Sequence, residues 1–143
     1  MIPASLFKKR KKRMYSKTTN DIKVTVSPQY LEEQSTPEDN HFVWAYHIVI
    51  QNNGAEPIQL RTRYWKITDS NGLTNEVSGK GVVGDQPTIE PGESYEYSSG
   101  APLHTPGGFM VGTYTMSSVS GEQFTVEIPA FSLDSPYQSS VLN

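Results

Sequence analysis

The stretch His41-Phe42-Val43-Trp44-Ala45-Tyr46-His47-Ile48-Val49-Ile50-Gln51 decides the fold. Its large apolar residues Phe42, Trp44, Tyr46, Ile48 and Ile50 recur at every second position. Side chains alternate between the two faces of a β-strand, so this period places all five on one face. A helix would distribute them around its circumference instead. The pattern repeats on either side. Ile22, Val24 and Val26 oppose Lys23, Thr25 and Ser27, and Phe124, Val126 and Ile128 oppose Gln123, Thr125 and Glu127.

Turn clusters separate such runs at a steady pace. They are Pro37-Glu38-Asp39-Asn40, Asn52-Asn53-Gly54, Asp69-Ser70-Asn71-Gly72, Gly84-Asp85-Gln86-Pro87, Glu90-Pro91-Gly92-Glu93, Thr105-Pro106-Gly107-Gly108 and 118–122. Short runs bounded by Gly, Pro, Asn and Asp mark a sandwich or barrel. Seven strands are predicted, over about 22–31, 41–51, 59–68, 73–79, 94–100, 109–117 and 123–128. Tight connections such as Asp69-Ser70-Asn71-Gly72 imply antiparallel hairpins. Val, Ile, Thr, Tyr, Phe and Trp supply 46 residues and Ala plus Leu only 12, which favours pleated surfaces over helices. The expected fold class is all-β, an immunoglobulin-like β-sandwich of two antiparallel sheets.

A chain of 143 residues is one domain's worth. The absence of cysteine excludes disulfides, thiol catalysis and Cys-based metal sites. The net charge of −3 hides an asymmetry, because six of the 12 basic residues lie in Lys8–Arg13 (KKRKKR). Outside that run 6 positive charges face 15 negative ones, a net of −9. The body is therefore acidic, and nucleic acid is expected to bind only non-specifically, through Lys8 to Arg13. Residues 1–20 read as a basic, disordered leader, 21–134 as the sandwich domain and 135–143 as a C-terminal tail. No stretch approaches the ~20 apolar residues of a membrane-spanning helix. No apolar segment follows the basic run, as a signal peptide requires. A cytoplasmic domain without a membrane partner is the expectation.

One motif invites a ligand. Gly79-Lys80-Gly81-Val82-Val83-Gly84 fits G-x-G-x-x-G, which in a dinucleotide-binding unit lets a helix N-terminus approach a pyrophosphate. Here Pro87 and Pro91 follow closely, so no regular helix can start there and the dinucleotide reading fails. Two readings remain for Gly79, Lys80, Gly81 and Gly84. Successive glycine amides beside Lys80 form an anion-binding nest, or the glycines simply permit positive φ where the chain crosses between sheets. A second cluster, Arg61, Arg63, Tyr64, Trp65 and Lys66, holds three of the body's six basic residues. Arg61, Arg63 and Trp65 are candidates for an interaction surface, against the alternative of core aromatics with arginines lying over the sheet.

Catalytic and metal-binding constellations do not assemble. His41 and His47 share a strand face about 20 Å apart, too far for one metal, and His104 has no adjacent carboxylate. Glu32-Glu33 and Glu38-Asp39 are consecutive pairs, which point to opposite faces of an extended chain. No nucleophile elbow, zinc-protease motif or EF-hand loop is present. The sequence therefore reads as non-enzymatic, with no cofactor and no metal.

The chain resembles a known family, ApaG. The matching pattern runs Arg63-Tyr64-Trp65-x-Ile67, then Glu76-Val77-x-Gly79-x-Gly81-Val82-Val83-Gly84-x-Gln86-Pro87. It continues through Ile89-x-Pro91-Gly92-Glu93, Tyr97-x-Ser99-Gly100 and Thr105-Pro106-x-Gly108-x-Met110-x-Gly112-x-Tyr114, and ends in Phe124-x-Val126-x-Ile128-Pro129-x-Phe131. Order and spacing hold over residues 21 to 134, after the basic run, with Met14 as the family-like start. The resemblance implies a fibronectin type III-like β-sandwich. It also implies a stand-alone cytoplasmic protein of the kind encoded beside a diadenosine tetraphosphate hydrolase and often labelled a cobalt/magnesium efflux protein. Eukaryotic relatives carry the domain as an interaction module. With no membrane span, any link to Co²⁺ or Mg²⁺ would be indirect. The leading expectation is a binding module with an unidentified protein partner. The alternative is a binder of a small phosphate ligand, pyrophosphate or a dinucleoside polyphosphate, at the glycine-rich loop.

Overall fold

A computed structural model of the chain describes residues 13–138. Nine strands form among them: β1 (Tyr15–Thr19), β2 (Ile22–Tyr30), β3 (Phe42–Asn52), β4 (Ile58–Asp69), β5 (Thr74–Lys80), β6 (Thr88–Ile89), β7 (Ser94–Leu103), β8 (Gly108–Ser118) and β9 (Gln123–Leu133). Seven of these correspond to the strands expected from sequence; β1 and the two-residue β6 are additional. The first sheet has the order β1-β2-β3-β7, and the second β5-β4-β8-β9 with β6 paired to β4. Every pairing is antiparallel. The result is the expected β-sandwich.

The inner layer is what the alternation predicts. Phe42, Trp44, Tyr46, Ile48 and Ile50 are all buried, against Val24 and Val26 of β2 and Val126 and Ile128 of β9 in one continuous core. Trp44, Ile48 and Ile50 are 0% exposed, and burying each large side chain contributes about 2–3 kcal/mol. Trp65 packs edge-on against two neighbours: Tyr46 lies 5.4 Å away at 65°, and Phe131 at 5.9 Å and 87°.

The leader boundary needs correction. Tyr15–Thr19, expected within the disordered leader, is strand β1 and pairs with Ile22–Val26. Its sequence, YSKTT, shows no apolar alternation because only its two ends are half-buried. Contacts across the sandwich hold it: Tyr15 packs on Phe131, and Lys17 Nζ donates to Glu127 Oε1 at 2.8 Å. Residues 1–12 of the leader, with all of the basic run but Arg13, lie outside the described residues, as do 139–143 of the tail. Arg13 pairs with Asp134 at 2.9 Å. The start of the tail is anchored: Trp44 Nε1 donates to the Asp134 carbonyl, Tyr137 packs on Tyr30 and Phe42, and its hydroxyl donates to Glu32.

Candidate functional site

Two bulges set which side chains face which way. The β4–β8 register shifts between Leu60 and Thr62, and the β8–β9 register between Met110 and Gly112. A bulge inserts one residue and resets the alternation of the strand that carries it. Arg61 occupies the shift and stays exposed, with its Nε donating to Ser117 Oγ at 2.9 Å. Arg63 and Trp65 then share rows with Tyr114 and Gly112 on the inner face. Trp65 is only 3% exposed and belongs to the core, so it offers no surface to a partner. The expected surface of Arg61, Arg63 and Trp65 is therefore divided by the bulge into one outward arginine and two inward side chains.

Arg63 reaches the glycine-rich loop from inside. Its Nη1 donates to the carbonyls of Lys80 and Gly81 at 3.1 and 2.9 Å. Each glycine of the motif then has a structural reason. At Gly79, a Cβ would come within 2.8 Å of that guanidinium. At Gly81, with φ +62°, a Cβ would collide with the Asp85 carbonyl oxygen. Val82 is fully buried and pins the loop to the core, and it exchanges both backbone hydrogen bonds with Asp85 at 2.8 Å. Val83 and Gly84 cross between them with φ +41° and +86°, as in a type I′ turn. The amides of Gly81, Val82 and Asp85 are thus engaged within the protein, to Arg61, Asp85 and Val82 carbonyls respectively. Lys80 stays exposed at the end of β5.

Beneath the loop lies a group of buried phenols. The Tyr97 and Tyr114 hydroxyls share a short hydrogen bond, and both residues are buried. Burial raises the pKa of each far above the ordinary tyrosine value. Tyr46 is raised by burial too, and opposed by a hydrogen bond with Ser99 and by the positive charge of Arg63. Arg63 exerts the same opposing pull on Tyr97 and Tyr114. The loop also crosses to the first sheet, because Tyr95 of β7 donates to Asp85 Oδ2 at 3.0 Å.

Sequence reading missed a third cluster. On the outer face of the first sheet, His47 Nδ1 lies 2.8 Å from Ser98 Oγ and Nε2 lies 2.8 Å from Glu96 Oε1. The order Ser–His–Glu has the outline of a nucleophilic triad, but Ser98 is only 6% exposed, which leaves little surface for a substrate carbonyl. Only the β3–β7 register, His47 opposite Ser98, brings these residues together, and no sequence spacing encodes that register. His41 and His104 do meet at one cleft, although the sequence separates them widely. Among the described residues no three His, Asp or Glu side chains are grouped so as to hold one metal ion, and no helix is long and apolar enough to cross a membrane.

The two long sides of the sandwich differ. On one, β1 and β2 pack against β9. On the other, the edge strands β7 and β5 have no further strand beside them among the described residues, and the glycine-rich loop bridges one end of that side. At its other end a cleft of about 640 Å³ opens between the sheets, lined by Ile67, Asp69, Leu73, Thr74, Asn75, Pro102 and Leu103 with His41 and His104. β5 itself is exposed at all but one of its residues, and Leu73 just before it is 70% exposed.

A two-sheet antiparallel sandwich with buried tyrosines and a half-buried arginine under a glycine-rich loop defines the class of domain. Comparison then places it: the ApaG domain model matches residues 32–118, and the chain belongs to the ApaG family. It is 60% identical over 127 residues to the ApaG protein of Rhodospirillum centenum, covering 89% of this chain and 98% of that protein. It is 59% identical over 130 residues to the ApaG protein of Agrobacterium fabrum, covering 91% and 100%. A crystal structure of a Bordetella pertussis protein designated ApaA superposes with a TM-score of 0.79 at 46% identity, covering 82% of this chain and 96% of that one. An X-ray structure of a structural-genomics target gives a TM-score of 0.78 at 49% identity, with coverage of 85% and 92%.

Proposed function

We propose that this domain is a non-catalytic binding module that offers the β5–β7 side of its sandwich to a protein partner. The observation that carries this reading is the pair of edge strands flanking a cleft, with β5 exposed along nearly its whole length. Unpaired strand edges present rows of N–H and C=O groups that pair readily with an added extended segment. The small-phosphate reading draws support only from Lys80 and the loop's positive-φ glycines; within the motif the amides of Gly81 and Val82 already have backbone partners. A photo-crosslinking residue at Val77, which is 42% exposed on β5, tests the proposal in living cells, with the exposed Thr125 of β9 as the control position. Discrete adducts at Val77 and none at Thr125 are expected. Equal labelling at both positions, or none at either, would overturn it.

A further inference from the structure

We infer that the cleft between β5 and β7 takes an extended peptide segment with an apolar anchor next to lysines or arginines. This rests on the protein-binding reading above and assigns the partner its chemistry. The apolar part of the cleft is Ile67, Leu73, Pro102 and Leu103, and Leu73 is 70% exposed. About 640 Å³ is room for two or three apolar side chains and falls within the usual range of ligand clefts. The edges on either side supply backbone partners for an extended chain, which a compact small molecule would not use.

Charge selects the flanking residues of that segment. Asp69 lines the cleft itself. Glu38 and Asp39 are exposed in the turn Pro37–Asp39, which leads directly to His41 of the cleft lining. Glu32 and Glu33 continue the acidic turn on the same end of the sandwich, where Tyr137 holds Glu32. Among the described residues at this end, Arg13 is paired with Asp134 at 2.9 Å. A cationic segment therefore meets Asp69 in the cleft and the field of the exposed acidic turns at the same end, and an acidic one is disfavoured. A smaller cleft of about 290 Å³, bordered by Asp21, Glu56 and Glu122, is also acidic, but turns and strand ends form most of its lining.

The test is fluorescence polarisation with the full chain and a dye-labelled peptide carrying Leu-Phe followed by four lysines. Two comparison peptides replace the lysines by glutamates or Leu-Phe by two serines. Saturable binding of the first peptide is expected, weaker by about tenfold or more for each comparison peptide. Leu73→Asp should weaken it similarly, and Glu38→Lys with Asp39→Lys by several-fold, while Glu122→Lys at the smaller cleft leaves it unchanged. Leu73 and the acidic rim are surface positions, and unchanged thermal melting of these variants confirms that they fold. Lysine and glutamate peptides binding alike, a variant pattern reversed toward Glu122, or no saturation at millimolar peptide would overturn the inference. Adducts at Val77 without peptide binding would reject this partner chemistry alone; loss of both would reject the binding-module reading as well.

Discussion

The Arg63 guanidinium donates to the carbonyl of Gly81 at 2.9 Å, joining the middle of β4 to the loop that follows β5. Arg63 also holds Lys80 O, so one side chain fixes the path of the glycine-rich segment from inside the sandwich. Replacing it leaves two carbonyls without a donor at a partly buried site. Arg63→Ala should cost about 2–3 kcal/mol in urea unfolding, by the usual worth of hydrogen bonds from a charged donor. Arg63→Lys, which cannot fork to both carbonyls in the same geometry, should recover only part of that.

Val83 is a β-branched residue held at φ +41° and 49% exposed, so it carries backbone strain without compensating burial. Val83→Asn creates the Asn-Gly pair that type I′ turns favour. A gain of about 0.5–1 kcal/mol in unfolding free energy is expected, and thermal melting reads it directly. Gly81→Ala should do the opposite and by more, because its Cβ would collide with the Asp85 carbonyl.

The paired phenols give a pH signature. Tyr97 and Tyr114 have folded pKa values raised by burial, so the folded state keeps their protons at pH values where the unfolded chain releases them. Their contribution to stability is complete below the unfolded tyrosine value of about 10 and declines as pH rises above it. Absorbance titration should therefore show these two tyrosines ionising only with unfolding, and denaturant midpoints should fall from about pH 10 upward.

The same pair tests what the hydrogen bond itself contributes. Tyr97→Phe or Tyr114→Phe leaves the other hydroxyl buried without its partner, at a cost of about 1–3 kcal/mol. The double variant removes both polar groups and should cost less than the sum of the singles. A double-mutant cycle by urea unfolding reads this, and strict additivity would show that the hydroxyls act independently.

Both tryptophans are interior, Trp44 at 0% and Trp65 at 3% exposure. Native fluorescence should be blue-shifted and nearly immune to iodide quenching, because no indole meets solvent. Trp65→Ala should cost about 3–5 kcal/mol in urea unfolding, as a large core deletion does. If Trp65→Phe lost binding of the lysine peptide with unchanged stability, the indole would have to meet the partner directly, contrary to its burial.

By itself the sequence determined the layers. The two-residue period of Phe42 to Ile50, Ile22 to Val26 and Phe124 to Ile128 fixes which side chains are inward, because a strand's pleat alternates whatever its neighbours are. The turn clusters then set seven of the nine strands. Where the period was absent, as in YSKTT, the strand was illegible, since an edge strand buries too little to need an apolar face. Only the tertiary structure decided the direction of the arginines, because the bulge after Leu60 depends on the pairing of β4 with β8 and leaves no mark in composition. The same holds for the glycine-rich loop, whose residues suit an anion nest on paper but whose amides take partners brought in by Arg61, Val82 and Asp85. It holds also for the cleft, which joins residues from His41 to His104 through sheet packing that no local spacing encodes.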